Sequence, residues 1–347
     1  MSITSRDVAR LAGVSQPTVS RALRGDPRVS AATRERVDRA VQALGYVPSE
    51  AGRSLVTRRT RRIGTVVTDL ANPFYPHLVG PLHDELDRRG YQMTLFTERS
   101  DAKVATERLL DGSLDGVVLM TSTIDSMLPA ELTRRGLPYV FLNRDSGDGG
   151  GDAAVVDNAL GGKLAAELVA GLGHRHIGAI FGPEDTTTGR ERETGFRFAL
   201  ADHGLALRAE AVRHGPFEFA TGHGLLPEVL AARPRPTALF CGSDAIAIGA
   251  LNAALGAGVR VPEDLTVIGF DDIPMASWEA FRLTTVSHDL TEMAAGAARL
   301  LVGRIEGGEQ PEEAPGAPAV SVGKRGGRRV VSVPRLAERG THAPPSA

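Results

Sequence analysis

The chain is 347 residues long and 42% hydrophobic, which gives room for two or three domains with buried cores and excludes a chain disordered throughout. Its single cysteine, Cys241, excludes an internal disulfide and a cysteine zinc cluster, and no run approaches the roughly 20 apolar residues of a membrane helix. The formal charge of −2 hides a division: 13 of the 40 basic and five of the 42 acidic residues fall in 1–62, so that stretch carries +8 and the rest −10. A basic head on an acidic body says where a polyanion docks, and that the body repels it.

The start, Met1-Ser2-Ile3-Thr4, has no basic residues leading into an apolar run, so a cytoplasmic protein with no membrane partner is expected. Two short helical patterns follow. Val8, Leu11 and Ala12 share one face of the first, Val19, Ala22 and Leu23 one face of the second, and Gly13 breaks between them. Thr4, three residues before Asp7, suits a capping box; Ser15 suits a cap on the second helix, with Pro17 in a first turn that needs no donor there. Gln16, Pro17, Thr18 and Arg21 then face outward, and such residues suit the base edges and phosphates of a major groove. An ordinary helical hairpin with a polar face has the same pattern, so the flanking sequence decides. A third amphipathic helix is expected over 32–44, capped by Ser30 and stopped by Gly45, with Val37, Ala40, Val41 and Leu44 inward. Then come Tyr46-Val47-Pro48-Ser49-Glu50-Ala51-Gly52-Arg53-Ser54-Leu55-Val56 and a basic run over 58–62.

In this order of parts the chain resembles the LacI family of bacterial transcription regulators, and the resemblance continues through about residue 305. It implies an α + α/β fold: a three-helix helix-turn-helix head with a hinge helix, then a two-lobed, Rossmann-like effector domain of the periplasmic-binding-protein type. Carried onto this sequence, 1–47 is the DNA-binding domain, 48–61 the hinge helix and linker, and 62–340 the effector-binding and dimerisation domain. Lobe one is 62–160 with a return over 290–320, lobe two 161–288 with 328–340, and 341–347 a disordered tail. Gln16, Pro17 and Arg21 are expected to read bases, with Arg21 on a guanine; Thr4, Ser15, Thr18, Ser20, Tyr46 and Arg53 are expected at phosphates or as positioning contacts. The residue matching Leu55 wedges into the minor groove in relatives.

From residue 63 the texture alternates. Apolar runs of strand length lie at 63–68, 91–96, 116–120, 139–142, 176–181, 237–240 and 265–270, with helical stretches at 78–89, 103–111, 161–171, 193–203, 220–232 and 245–257 between most of them. That alternation implies parallel sheets covered on both faces, with ligands at the C-terminal ends of strands, and two sheets fit better than one. The tail departs from the family: 307–327 is rich in Gly, Pro and Ala and reads as an insertion before a last strand over 329–333.

Residues at the strand ends give the candidate effector site: Thr68, Asn72, Phe74 and Tyr75 after the first strand, Asn143 and Arg144 after the fourth, then Arg192, Phe217, Ser243, Phe270, Asp271 and His288. Fork donors and carboxylates suit vicinal hydroxyls, and aromatic faces suit the C–H side of a sugar ring. Singly, each has a plainer explanation as a turn or helix cap; together they match where relatives and sugar-binding proteins hold ligand. Asn143 stands where an Asp is usual, Ser243 where an Asn is, and His288 where a Gln is.

Other chemistry is weakly represented. His174-Arg175-His176 lacks nearby metal ligands, the glycine run 147–151 lacks the lysine of a phosphate-binding loop, and no nucleophile and base stand at a recognisable spacing. No enzyme, metal or cofactor is therefore expected. The expectation is a sequence-specific DNA-binding regulator, a repressor on a pseudo-palindromic operator. Its partners are double-stranded DNA, a second copy in a homodimer that could pair to a tetramer, and a carbohydrate effector. The rivals are a sugar receptor of a transporter, which needs an export signal and has no use for a +8 head, and a sugar-modifying enzyme, which turnover would reveal.

Overall fold

The computed structural model describes residues 3–23, 25–46, 59–67, 70–97, 107–307, 320–323 and 325–346. They fall into two units, Met1–Thr60 and Arg61–Ala347. Helices α1 (Ser5–Ala12), α2 (Gln16–Leu23) and α3 (Ala31–Leu44) make the first. Asp7 reaches back to accept from Thr4 N at 3.0 Å and Thr4 Oγ1 at 2.7 Å, closing the start of α1. Gly13 ends it in the left-handed region, at φ 62°, where a side chain would be strained. Ser15 Oγ accepts from Thr18 N and Ser30 Oγ from Thr33 N, capping α2 and α3. Val8, Ala9, Ala12, Val19, Ala22, Val37 and Ala40 form the core, with Val41 and Leu44 at its margin. One expectation fails: Leu11 is 56% exposed and Ala9 lies inside instead, because α3 packs on that side of α1, where a small residue permits close approach.

The second unit holds two sheets. In the first, β1 (Arg62–Val67), β2 (Gln92–Thr97), β3 (Gly116–Leu119), β4 (Tyr139–Leu142), β5 (Ala153–Val156), β11 (Val320–Val322) and β12 (Arg328–Ser332) lie in the order β11-β12-β5-β4-β3-β1-β2. In the second, β6 (Ile177–Phe181), β7 (Val212–His214), β8 (Ala238–Cys241), β9 (Thr266–Asp271), β10 (Thr284–Ser287) and β13 (Arg335–Ala337) lie in the order β13-β10-β9-β8-β6-β7. Pairing is parallel except at β11 and β13. Strands β3, β6, β8 and β9 are buried at every position, as in parallel sheets covered on both faces.

Helices α4 (Phe74–Arg88), α5 (Leu128–Arg134) and α10 (Leu290–Glu306) belong to the first lobe, and α6 (Asn158–Gly171), α7 (Thr187–Asp202), α8 (Phe219–Leu230) and α9 (Asp244–Gly256) to the second. The helices of the second lobe pair as α6 with α7 and α8 with α9. A Cβ on Gly162 would strike the Arg192 carbonyl oxygen, and one on Gly195 the Ala159 carbonyl oxygen, so α6 and α7 touch backbone to backbone. The chain changes sheet after β5, β10 and β12. These crossings are tied together at Ser332, whose carbonyl accepts from Asp157 N at 3.1 Å and whose Oγ accepts from Asp289 N at 3.3 Å.

Three parts of the expected tail differ. Residues 328–332 join the first sheet beside β5 rather than the second, which takes only 335–337. Val320–Val322, expected within an insertion, is an edge strand on β12. Residues 341–346 are pinned, not frayed. Thr341 Oγ1 donates to the Val267 carbonyl at 2.7 Å and accepts from Thr284 N, Val267 N donates to the Thr341 carbonyl, and Ser346 Oγ donates to the Glu263 carbonyl. Open backbone groups of the second sheet supply those partners. Of the expected hinge helix and linker over 48–61, residues 48–58, with Arg53 and Leu55, lie outside the described residues, as does Thr68. Among the described residues no helix is long and apolar enough to cross a membrane.

Candidate functional site

In the head, Gln16, Pro17, Ser20 and Arg21 are exposed. Gln16 and Ser20, like Pro17 and Arg21, are four residues apart, so α2 carries all four on one outward face. Gln16 Nε2 donates to Ser5 Oγ at 2.9 Å, which fixes its amide beside α1. Ser15 and half-buried Thr18 share a hydroxyl hydrogen bond of 2.8 Å, and Tyr46 packs on the core. Thr4, Ser15 and Tyr46 thus shape the head.

The second candidate lies between the lobes. Asn72, Phe74, Tyr75, Asn143, Arg144, Thr188, Arg192, Phe217 and Asp271 line one cavity of about 20 Å³, room for about one water molecule. These residues follow β1, β4 and β7, end β9 or lie in the first turns of α4 and α7, at the C-terminal ends of both sheets. Asn143 and Asp271 hold backbone φ of 76° and 115°, conformations that most side chains disfavour and that binding sites accumulate. Three hydrogen bonds close the lobes on each other: Asn72 Nδ2 to the Phe217 carbonyl at 2.7 Å, Ile124 N to the Asp185 carbonyl at 2.8 Å, and Asp145 N to Thr187 Oγ1 at 3.3 Å. Asn72 Oδ1 accepts from Phe74 N, so Asn72 acts here as a bridge between lobes.

Arg192 is the fixed point. It donates to Asn158 Oδ1 at 2.9 Å and to the Gly242 carbonyl at 2.7 Å, pairs with Asp271 Oδ1 at 2.9 Å, and stacks 3.7 Å over the Phe270 ring. Burial pulls its pKa below the usual range while Asp271 opposes that pull. Burial also raises the Asp271 carboxyl to about 6, against the attraction of Arg192. His288, between Phe74 and Phe270, is lowered to about 3 by burial and by Arg192, so it stays neutral. Its Nε2 is 3.8 Å from Asp271 Oδ1, too far for a hydrogen bond. Both ring nitrogens of His288, Asn143 Oδ1 and Arg144 Nε are buried without hydrogen-bond partners. Buried unpartnered polar atoms are costly, and a polar ligand is one way to satisfy those that line the cavity.

Three expected residues lie outside the lining: His288, set between Phe74 and Phe270, and two that serve otherwise. Ser243 caps α9, its Oγ accepting from Ile246 N, and Phe270 is the plate beneath Arg192 rather than part of the lining. Thr188 in the lining and Asn158 behind Arg192 were not signalled by the sequence: Thr188 follows no apolar run, and the run before Asn158, Ala153–Val156, does not read as a strand. His174 spends both ring nitrogens on Thr237 Oγ1 and the Ala343 carbonyl. Larger hollows of about 610 and 580 Å³ lie at the other ends of the second sheet's strands, but none of their lining residues carries an unpartnered buried polar side-chain atom.

Comparison with known proteins adds the following. The profile described as "Bacterial regulatory proteins, lacI family" matches residues 4–49, and that described as "Periplasmic binding protein-like domain" matches residues 166–326. The HTH-type transcriptional regulator CelR of Thermobifida fusca is 40% identical over 311 residues, spanning 86% of this chain and 91% of its own. The ribose operon repressor of Escherichia coli (strain K12) is 36% identical over 308 residues, spanning 87% and 93%. Among solved structures, a transcriptional regulator CelR–cellobiose complex superposes with a TM-score of 0.72 at 35% identity, covering 98% of this chain and 99% of that one. A lac repressor bound to ONPG in its repressed state gives 0.83 at 26% identity, covering 98% and 100%.

Proposed function

The chain belongs to the lacI family of bacterial regulatory proteins, and on that premise we propose that it is a repressor whose grip on a pseudo-palindromic operator is set by a carbohydrate effector held between its lobes. One observation carries the effector half of this reading. Asn143 Oδ1 and Arg144 Nε are buried and unpartnered in the lining of one cleft, and His288, both ring nitrogens unpartnered, packs against Phe74 of that lining. Similar proteins whose names specify cellobiose or ribose support a sugar as ligand.

The DNA half rests on the outward face of α2 and the +8 charge of 1–62. Gln16, Pro17 and Arg21 read bases; Ser20, Thr18 and Arg53 set the register on phosphates. One three-helix head reads few base pairs, so a homodimer on a two-fold site is the functional unit. Closure of the lobes about the crossings tied at Ser332 is the movement the effector biases, and coupling to DNA needs only about 1–3 kcal/mol. The protein works in the cytoplasm and catalyses nothing; turnover of a bound sugar would revive the enzyme alternative.

Selection of duplexes from a random pool by the full chain tests this. A palindromic consensus is expected, with mismatches in each half-site costing about 1–3 kcal/mol per base pair. Recovery of no consensus overturns the reading.

A further inference from the structure

Given a small polyhydroxylated ligand between the lobes, the reading just given, we propose that this effector is anionic: a sugar acid or sugar phosphate whose negative group seats on Arg144. The carboxylates nearby are committed. Asp145 pairs with Arg329 at 2.6 Å, Asp272 with Arg339 at 2.6 Å, and Asp271 with Arg192 at 2.9 Å. Asp244 accepts from Thr285 Oγ1 and Ile273 N and is pushed far up by burial, toward its neutral form. Arg144, by contrast, has no ion pair among the described residues. Its guanidinium lies 5.3 Å over the Phe217 ring, and its Nε is buried without a partner.

Two guanidiniums therefore share one carboxylate, Asp271. Each registers the other: after burial and the opposing pull of Asp271, repulsion from Arg144 is among the influences lowering Arg192, and both cations act on Asp271. His288 adds no positive charge of its own. A cleft with low-dielectric walls and one uncompensated cation holds a positive potential. A neutral sugar enclosed there would leave the Arg144 charge desolvated and unpaired, whereas an anion supplies the missing counter-charge. The open Nε edge of an arginine presents two parallel N–H donors, the fork that fits a carboxylate or phosphate. Asn143 Oδ1 then accepts from one hydroxyl.

The experiment is calorimetric titration of the full chain with glucose and ribose, with gluconate, glucuronate and ribonate, and with the matching sugar phosphates, at low and high salt. A charge-assisted contact predicts that at least one acidic ligand binds about 10–100-fold tighter than its neutral parent, with a ratio that shrinks at high salt. The acid and phosphate arms tell the two anion sources apart. Arg144→Gln should bring the ratio to about one and Arg144→Lys should keep part of it, each checked for folding by circular dichroism. If Arg144→Gln does not fold, the lysine variant and the salt dependence of the unaltered protein decide. The proposal is overturned if a neutral sugar binds as tightly as its acidic forms, if neither set binds, or if the ratio survives Arg144→Gln. A chain that selects a palindrome yet ignores ligand charge fails only this proposal, whereas one that selects no palindrome fails the reading beneath it.

Discussion

Held by Asn158, the Gly242 carbonyl, Asp271 and the Phe270 ring, Arg192 cannot be cut back without stranding Asp271 in the interior. Breaking a buried pair from one side costs about 3–5 kcal/mol, so Arg192→Ala should lower Tm by several degrees in a thermal melt and abolish ligand binding in the cleft. The titrations of His288 and Asp271 oppose each other. His288 is neutral in the fold down to about pH 3 but charges at its ordinary pKa when unfolded, so it contributes stability that is lost as pH falls from about 6.5 toward 3. Asp271, raised to about 6, contributes stability present at low pH and lost as pH rises from about 4 through 6. His288→Gln should therefore flatten the acid limb of Tm against pH between about 6.5 and 4; an unchanged limb would mean that His288 is not held neutral. In the head, Arg21→Ala should cost about 1–3 kcal/mol of operator affinity and relax one base position, and an equal loss on all sequences would reassign Arg21 to a phosphate. Much of the cleft was legible because polar and aromatic residues at strand ends announce a ligand site: Phe74, Asn143, Arg144, Arg192, Phe217 and Asp271 converge as expected. Ser243 is a helix cap, which after a strand uses the same residue types as a ligand contact, and Asn158 follows Ala153–Val156, a run that does not read as a strand.

Among the elements, α6 and α7 set where Arg192 stands, since Gly162 and Gly195 let their backbones meet. Gly195→Ala should push α7 off α6, lower Tm and weaken ligand binding, although Gly195 is absent from the cavity lining. Gly171→Ala at the end of α6 is the control: open space surrounds that position, so the same change should be neutral or stabilising by about 0.5–1 kcal/mol. Equal melting of both variants would show that helix contact is not what matters. Helices with a clear apolar stripe were legible to within a few residues, as were the four-residue strands Gly116–Leu119, Tyr139–Leu142 and Ala238–Cys241, but two other short strands were not. Ala153–Val156 is four residues of which two are good helix formers, and Thr284–Ser287 carries one large apolar residue, so neither shows a strand period. The placement of Arg328–Ser332 beside β5 is long-range: Arg329 pairs with Ala153, 176 positions away in the sequence and beyond the reach of local pattern.

Across the whole molecule, the division of charge that the composition concealed separates a DNA-facing head from an acidic body, and the phosphate contacts it implies make operator affinity fall with salt. The lobes of the body stand closed, bridged by Asn72, Ile124 and Asp145 around a cavity of about 20 Å³, so the effector proposed for this cleft would enter only when they part. On that proposal, binding in the cleft and release or capture of DNA are two ends of one equilibrium between lobe arrangements. The most direct test is fluorescence anisotropy of the selected palindrome titrated with the full chain, with and without a saturating ligand of the cleft. The account predicts two chains per duplex and an operator affinity that the ligand shifts by about 5–150-fold. An affinity that stays constant while the cleft is saturated would contradict it.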